Sequence, residues 1–157
     1  MDAMKTNMKT AALGIVSSIA VASALNTAIS LAAQGLGASP STVIGLQPMA
    51  YITLTALGVI AAAAGWTLIH AKAKNPKSLL AKLVPSVLVL SLFADIPLFF
   101  IDGASVVGVV ALMLMHIVVA AVVVPVFART LPVSDHETDR VPGPTPAVTE
   151  KLSQGTA

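Results

Sequence analysis

Residues 104–127 read ASVVGVVALMLMHIVVAAVVVPVF and carry no ionisable side chain other than His116. A helix of about 20 predominantly apolar residues crosses the roughly 30 Å hydrocarbon layer of a bilayer, so this stretch is long enough to span. Working outward from it, with charges as limits, three more stretches qualify: about Thr10–Ala33, Pro48–His70 and Leu83–Ile101. The sequence therefore predicts an all-α, integral membrane four-helix bundle made of two antiparallel hairpins. Residues 1–9 form a short N-terminal segment, residues 10–130 the membrane domain, and residues 131–157 a Pro-rich tail predicted to be disordered.

Composition supports a membrane solvent. Of the 157 residues, 56% are hydrophobic and 10% charged, against about 25% charged in soluble domains, and the mean hydropathy is +0.90. A soluble globular protein and a wholly disordered chain are both excluded. Cysteine is absent, which removes disulfides, thiolate metal sites, thiol nucleophiles and cysteine lipid anchors together. The net charge of +2 comes with one Trp, one Tyr and four Phe, too few for a nucleic-acid stacking platform. The lipid bilayer is the expected partner and nucleic acid is not; a second copy or another membrane protein stays open.

The positive charges set direction. Lys5 and Lys9 precede the first span, Lys72, Lys74, Lys77 and Lys82 separate the second from the third, and Arg129 follows the fourth. The positive-inside rule places both termini and the 72–82 connection in the cytoplasm, in a multi-pass protein of the cell membrane. The outer connections are then Gln34–Gln47, expected as a polar loop broken by Gly35, Gly37 and Pro40, and a short turn at Asp102–Gly103. Tyr51, Phe99 and Phe100 fall near the outer interface, and Trp66 and Phe127 near the inner one, where aromatic rings are favoured. Lys5, Lys9 and the run to Ala22-Ser23-Ala24 also fit a cleavable secretory signal. The apolar run continues to Ala33, past the roughly 7–15 residues of such a core, so a retained anchor is expected.

Helices in lipid associate through small residues and through polar side chains that prefer each other to hydrocarbon. Gly14, Ser18, Ala22, Asn26 and Ser30 recur every four residues and form one stripe on the first span. Gly58 with Ala62, and Ala61 with Gly65, repeat that spacing on the second and are expected to pack inside the bundle. Pro85, Pro97 and Pro125 each remove an amide donor, so Asp95–Asp102 is expected as a distorted last turn or a shallow outer loop.

Ionisable groups inside a membrane are candidate functional sites. His116 lies near the middle of the fourth span and Asp95 on the outer part of the third. Counted from the turn at Gly103, they are about 8 and 13 residues away, a depth difference of about 7–8 Å at 1.5 Å per residue. Direct pairing then needs tilt, a bend or a bridging water. Asn26, Ser30, Thr53 and Thr55 reach a similar outer depth, giving a candidate polar cluster of Asn26, Ser30, Thr53, Thr55, Asp95 and His116. Such a cluster serves as bundle glue, a proton relay or a small-molecule site. Triads, metal centres, phosphate-binding glycine loops and nucleophile elbows are not spelled by the sequence. No cofactor, no metal and no enzymatic activity are expected.

The run Ala111-Leu112-Met113-Leu114-Met115-His116-Ile117-Val118-Val119-Ala120-Ala121, followed by Pro125 and Arg129, resembles a family of small bacterial four-span membrane proteins of unknown function. Asn26, Pro48, Leu90-Ser91-Leu92 and Pro97 are weaker points of similarity, and the likeness covers about residues 10–130. It implies a four-helix membrane protein and points to Asn26 and His116, while Asp95 and Asp102 lie outside its pattern. It implies no activity. The expected role is a structural or accessory membrane component, with a small proton-coupled transporter or a ligand- or lipid-binding protein as the alternative.

Overall fold

The computed structural model describes residues 2–131, with side chains from Met8 onward. Four long helices follow one another: α1 (Asp2–Gly35), α2 (Pro48–Lys72), α3 (Pro76–Asp95) and α4 (Val106–Thr130). Short 3-10 segments at Ile44–Leu46 and Ile96–Phe100 join them, and no strand occurs among the described residues. All four helices are long and apolar enough to cross a membrane. The proposed tail beyond Leu131 lies outside the described residues, but Leu131 itself is not tail. Its amide donates to the Phe127 carbonyl at 2.8 Å and it packs on the core.

Local chemistry explains the ends. Pro48 and Pro76 open α2 and α3, where a missing amide is harmless. Ser105 caps α4 by accepting from the Gly108 amide at 3.1 Å. Gly37, at φ +93°, ends α1 in a Schellman motif: Ala38 N–H bonds Ala33 O at 2.9 Å and Gly37 N–H bonds Gln34 O at 3.0 Å. Gly103, at φ +81°, closes the α3–α4 turn.

Charges mark the helix limits poorly. The third helix starts at Pro76, not near Leu83, so Lys77 and Lys82 ride on its first turns. Likewise α1 includes Lys5 and Lys9, and α4 runs past Arg129. Long cationic side chains reach water from the first or last turn of a membrane helix. The α-helical ladder of α3 ends at Asp95 and tightens into the 3-10 turn that contains Pro97, whose ring and missing donor disrupt the α pattern. Pro85 and Pro125 lie inside continuous helix.

The expected polar loop between α1 and α2 is an apolar cap instead. Ala38, Val43 and Leu46 are buried and pack with Tyr51, Leu112 and Met115 over the start of α4. Tyr51 and Phe127 are both buried in the core, at 5% and 0% exposure. Phe100 is open to the surroundings.

The most extensive helix contact joins α1 to α4; α1 also packs on α2 and α3 on α4, whereas α2 and α3 touch little. The predicted α1 stripe accounts for this order. Gly14, Ser18, Ala22, Asn26 and Ser30 are all buried, and a Cβ on Gly14 would meet Thr130 Oγ1 at 2.8 Å. The small-residue pairs of α2 do not pack. Gly58, Ala61 and Ala62 are exposed, and a Cβ on Gly58 or Gly65 would meet nothing within 4 Å. The buried side of α2 is Tyr51, Thr55, Val59 and Ala63, a different face of the helix.

Candidate functional site: paired polar side chains between apolar helices

At the end of α3, Asp95 is buried and its Oδ2 lies 3.2 Å from Nδ1 of His116 on α4. Direct contact replaces the expected gap in depth. The 3-10 segment rises about 2.0 Å per residue rather than 1.5 Å, and residues 101–105 form a turn outside either helix. Asp95 is then about 10 Å below the turn and His116 about 15 Å, a difference that two side chains bridge.

The same Nδ1 lies 2.9 Å from the carbonyl oxygen of Leu112, one turn earlier. The Leu112 carbonyl accepts only from a ring nitrogen that carries a proton, so this contact is a hydrogen bond in the tautomer protonated at Nδ1. The His116 side chain is 40% exposed and that of Asp95 is 12% exposed. An imidazole beside a carboxyl group, one buried and one half-open, can hold a proton between helices or exchange it with the surroundings.

On the other side of the bundle, Asn26 Nδ2 donates to Thr55 Oγ1 at 3.1 Å, joining α1 to α2. One turn further, Ser30 Oγ donates to Leu46 O at 2.7 Å and accepts from Gln34 Nε2 at 3.0 Å. Thr53 is exposed, because two residues from buried Thr55 is more than half a helical turn away. Five of the six candidates thus fall into separate groups, Asn26 with Thr55, Ser30 with the cap, and Asp95 with His116, and Thr53 joins none of them. Among the described residues no hydrogen bond joins the first pair to the last.

Three further polar contacts escape sequence reasoning. Tyr51 donates to Thr27 Oγ1 at 3.0 Å, and Thr27 in turn donates to Ser23 O at 2.8 Å. Trp66 Nε1 donates to Leu131 O at 2.9 Å while its ring meets Phe127 edge-on at 5.9 Å. Position in the aromatic belt pointed to these rings, but nothing in the sequence names their partners. Asn26 Oδ1, Asp95 Oδ2 and the hydroxyls of Ser18 and Ser23 are buried without a hydrogen bond, so the contact of Asp95 Oδ2 with His116 is one of proximity and charge rather than an aligned hydrogen bond. Among the described residues, no three His, Asp or Glu side chains converge to hold a metal ion.

Among known families, the family of unknown function DUF6069 matches residues 5–133 of this chain. No curated protein and no solved structure matches it.

Proposed function

The chain belongs to that family of unknown function, and from this premise we propose that it is a non-enzymatic structural or accessory component of the cell membrane, with both termini cytoplasmic. One observation carries the reading: polar side chains in the apolar layer are spent on fixing neighbouring elements to each other. Asn26–Thr55 fixes α1 to α2, Ser30 fixes α1 to the cap, and Asp95–His116 fixes α3 to α4. Polar groups that face each other across helices are a recognised means of holding bundles in lipid. Purified protein carrying His116→Ala or Asp95→Asn should melt at lower temperature, with proton and solute flux in proteoliposomes unchanged from empty vesicles. Flux that the wild type supports and these variants abolish, while still folded, would sink the proposal.

A second reading has its own support. The half-open His116 imidazole against a buried carboxyl group has the makings of a proton-exchange site for a small proton-coupled carrier. The same flux assay, run with an imposed pH gradient, separates the two.

A further inference from the structure

The ionisable groups of the chain are unevenly divided. Lys72 and Lys74 stand at the α2–α3 connection and are exposed, as is Arg129 near the end of α4; Lys77 of the same stretch already has an interaction partner. Between residues 8 and 131 the carboxylates are Asp95 and Asp102, which lie at the far end of α3 and in the turn after it. Past Leu131 the sequence continues PVSDHETDRVPGPTPAVTEKLSQGTA. From residue 132 to residue 139 it holds Asp135, Glu137 and Asp139 and neither Lys nor Arg. An acidic segment thus follows a domain whose cations gather near the point where the chain leaves it.

That exit point is fixed beside α2. Trp66 Nε1 donates to Leu131 O at 2.9 Å, the Leu131 amide donates to Phe127 O, and the Leu131 side chain packs on the core formed by Val59, Ala63, Val123 and Phe127. Lys72 is six residues beyond Trp66, about 9 Å along the helix, and Lys74 follows two residues later. Measured from Leu131, an extended chain covers at most about 14 Å by Asp135 and about 28 Å by Asp139. The three carboxylates can therefore reach both ammonium groups. Lys9 of α1 belongs to the same end, since Gly14 packs on Thr130, but among described side chains it is the single cation of its helix. One exposed ion pair contributes little. Here three acids act together, and the tether keeps them at an effective concentration on the order of millimolar.

We infer that the chain's own acidic segment, Asp135–Asp139, docks on the α2–α3 connection with its carboxylates against Lys72 and Lys74. Docked there, it straps the end of α4 to the connection between α2 and α3, two helices that touch little. The contact lies at the opposite end of α3 from the Asp95–His116 pair. It is the same whichever side of the membrane carries this end, and it is independent of the role proposed above.

A carbodiimide joins a carboxylate to an amine without a spacer and so reads this contact directly. Full-length protein, half of it labelled with ¹⁵N, is treated in phosphatidylcholine vesicles, and the cross-linked peptides are mapped by mass. Links within one chain are expected between residues 135–139 and Lys72 or Lys74, in excess of links from those acids to exposed Lys9 or Lys82 and of links from Glu150 to Lys72 or Lys74. Salt at about 1 M, where the Debye length falls to about 3 Å, should lower their yield several-fold. Asp135→Asn with Asp139→Asn leaves Glu137 able to react, and its link to Lys72 or Lys74 should also fall several-fold. Ser134→Ala should leave that link unchanged. Absence of the link, equal yields at Lys9 or Lys82, an equal yield from Glu150, a yield indifferent to salt or to the paired substitution, a loss in Ser134→Ala, or links found only between differently labelled chains would each overturn the assignment.

Discussion

Nδ1 of His116 stands 3.2 Å from Oδ2 of Asp95 and 2.9 Å from the Leu112 carbonyl, so one imidazole nitrogen joins the end of α3 to the body of α4. At the other end of α3, Leu80 is buried. Between these two points the helix is loosely covered. It is held by its ends, and its upper attachment is polar.

That attachment makes the order of substitution matter. His116→Leu alone is expected to lower stability by about 1–3 kcal/mol, because it strands a buried carboxyl group in an apolar layer. Replacing both residues together, Asp95→Leu with His116→Leu, should recover most of the loss, since an apolar pair has no desolvation to offset. Unfolding of purified protein in mixed micelles measures both. A double variant as unstable as the sum of the singles would show that the two side chains do not act as a pair.

Two glycines at similar spacing motifs should respond in opposite ways. Gly14→Ala places a methyl group 2.8 Å from Thr130 Oγ1, and overpacking of this kind costs about 1–3 kcal/mol. Thr130→Ala should restore part of that loss by removing the clashing hydroxyl. Gly58→Ala meets open space and should be neutral or stabilising by up to about 1 kcal/mol from helix propensity. Thermal melts of the three variants in one detergent decide the matter.

The α1–α2 contact offers a cleaner hydrogen-bond test. Thr55→Val removes the acceptor of Asn26 Nδ2, 3.1 Å away, and Asn26→Ala removes the donor. Each should destabilise, with a coupling energy near the roughly 0.6 kcal/mol average for interhelical bonds in membranes and below its maximum of about 1.7 kcal/mol. Thr53→Val changes an exposed side chain and should stay within about 0.5 kcal/mol of the wild type. A Thr53 effect as large as that of Thr55 would mean that α2 is rotated from the orientation described.

What the sequence disclosed depended on the range of the interaction. Four apolar runs gave four helices, since length against bilayer thickness is a local property of the chain. The α1 stripe from Gly14 to Ser30 was legible because a four-residue repeat fixes one helix face without reference to a partner. Which side of α2 turns inward was not legible: alanine is so frequent that Gly58/Ala62 and Thr55/Val59 are equally good stripes, and only the Asn26 and Tyr51 bonds choose. The cap was hidden for a related reason. Its Gly, Ser and Pro residues signal a turn-rich loop, and the burial of Val43 and Leu46 depends on meeting Leu112 and Met115 almost seventy residues later. Depth at Asp95 failed because uniform α-helical rise was assumed across a 3-10 segment.

The orientation of the bundle is the last expectation to test, and the absence of cysteine makes the test clean. Lys72, Lys74, Lys77 and Lys82 cluster at the α2–α3 connection, whereas Gln34–Gln47 and residues 101–105 contain neither Lys nor Arg. Charge asymmetry over short connections biases topology, and the expected side of the α2–α3 turn is the cytoplasm. Ser41→Cys and Lys74→Cys introduce single thiols at exposed positions at opposite ends of α2. A membrane-impermeant maleimide applied to intact cells should label Ser41→Cys and leave Lys74→Cys unmodified until the cells are lysed. The reverse pattern would invert the bundle while preserving its four crossings. Labelling of both from outside would mean that α2 does not cross the membrane, and the four-span architecture would fall with it.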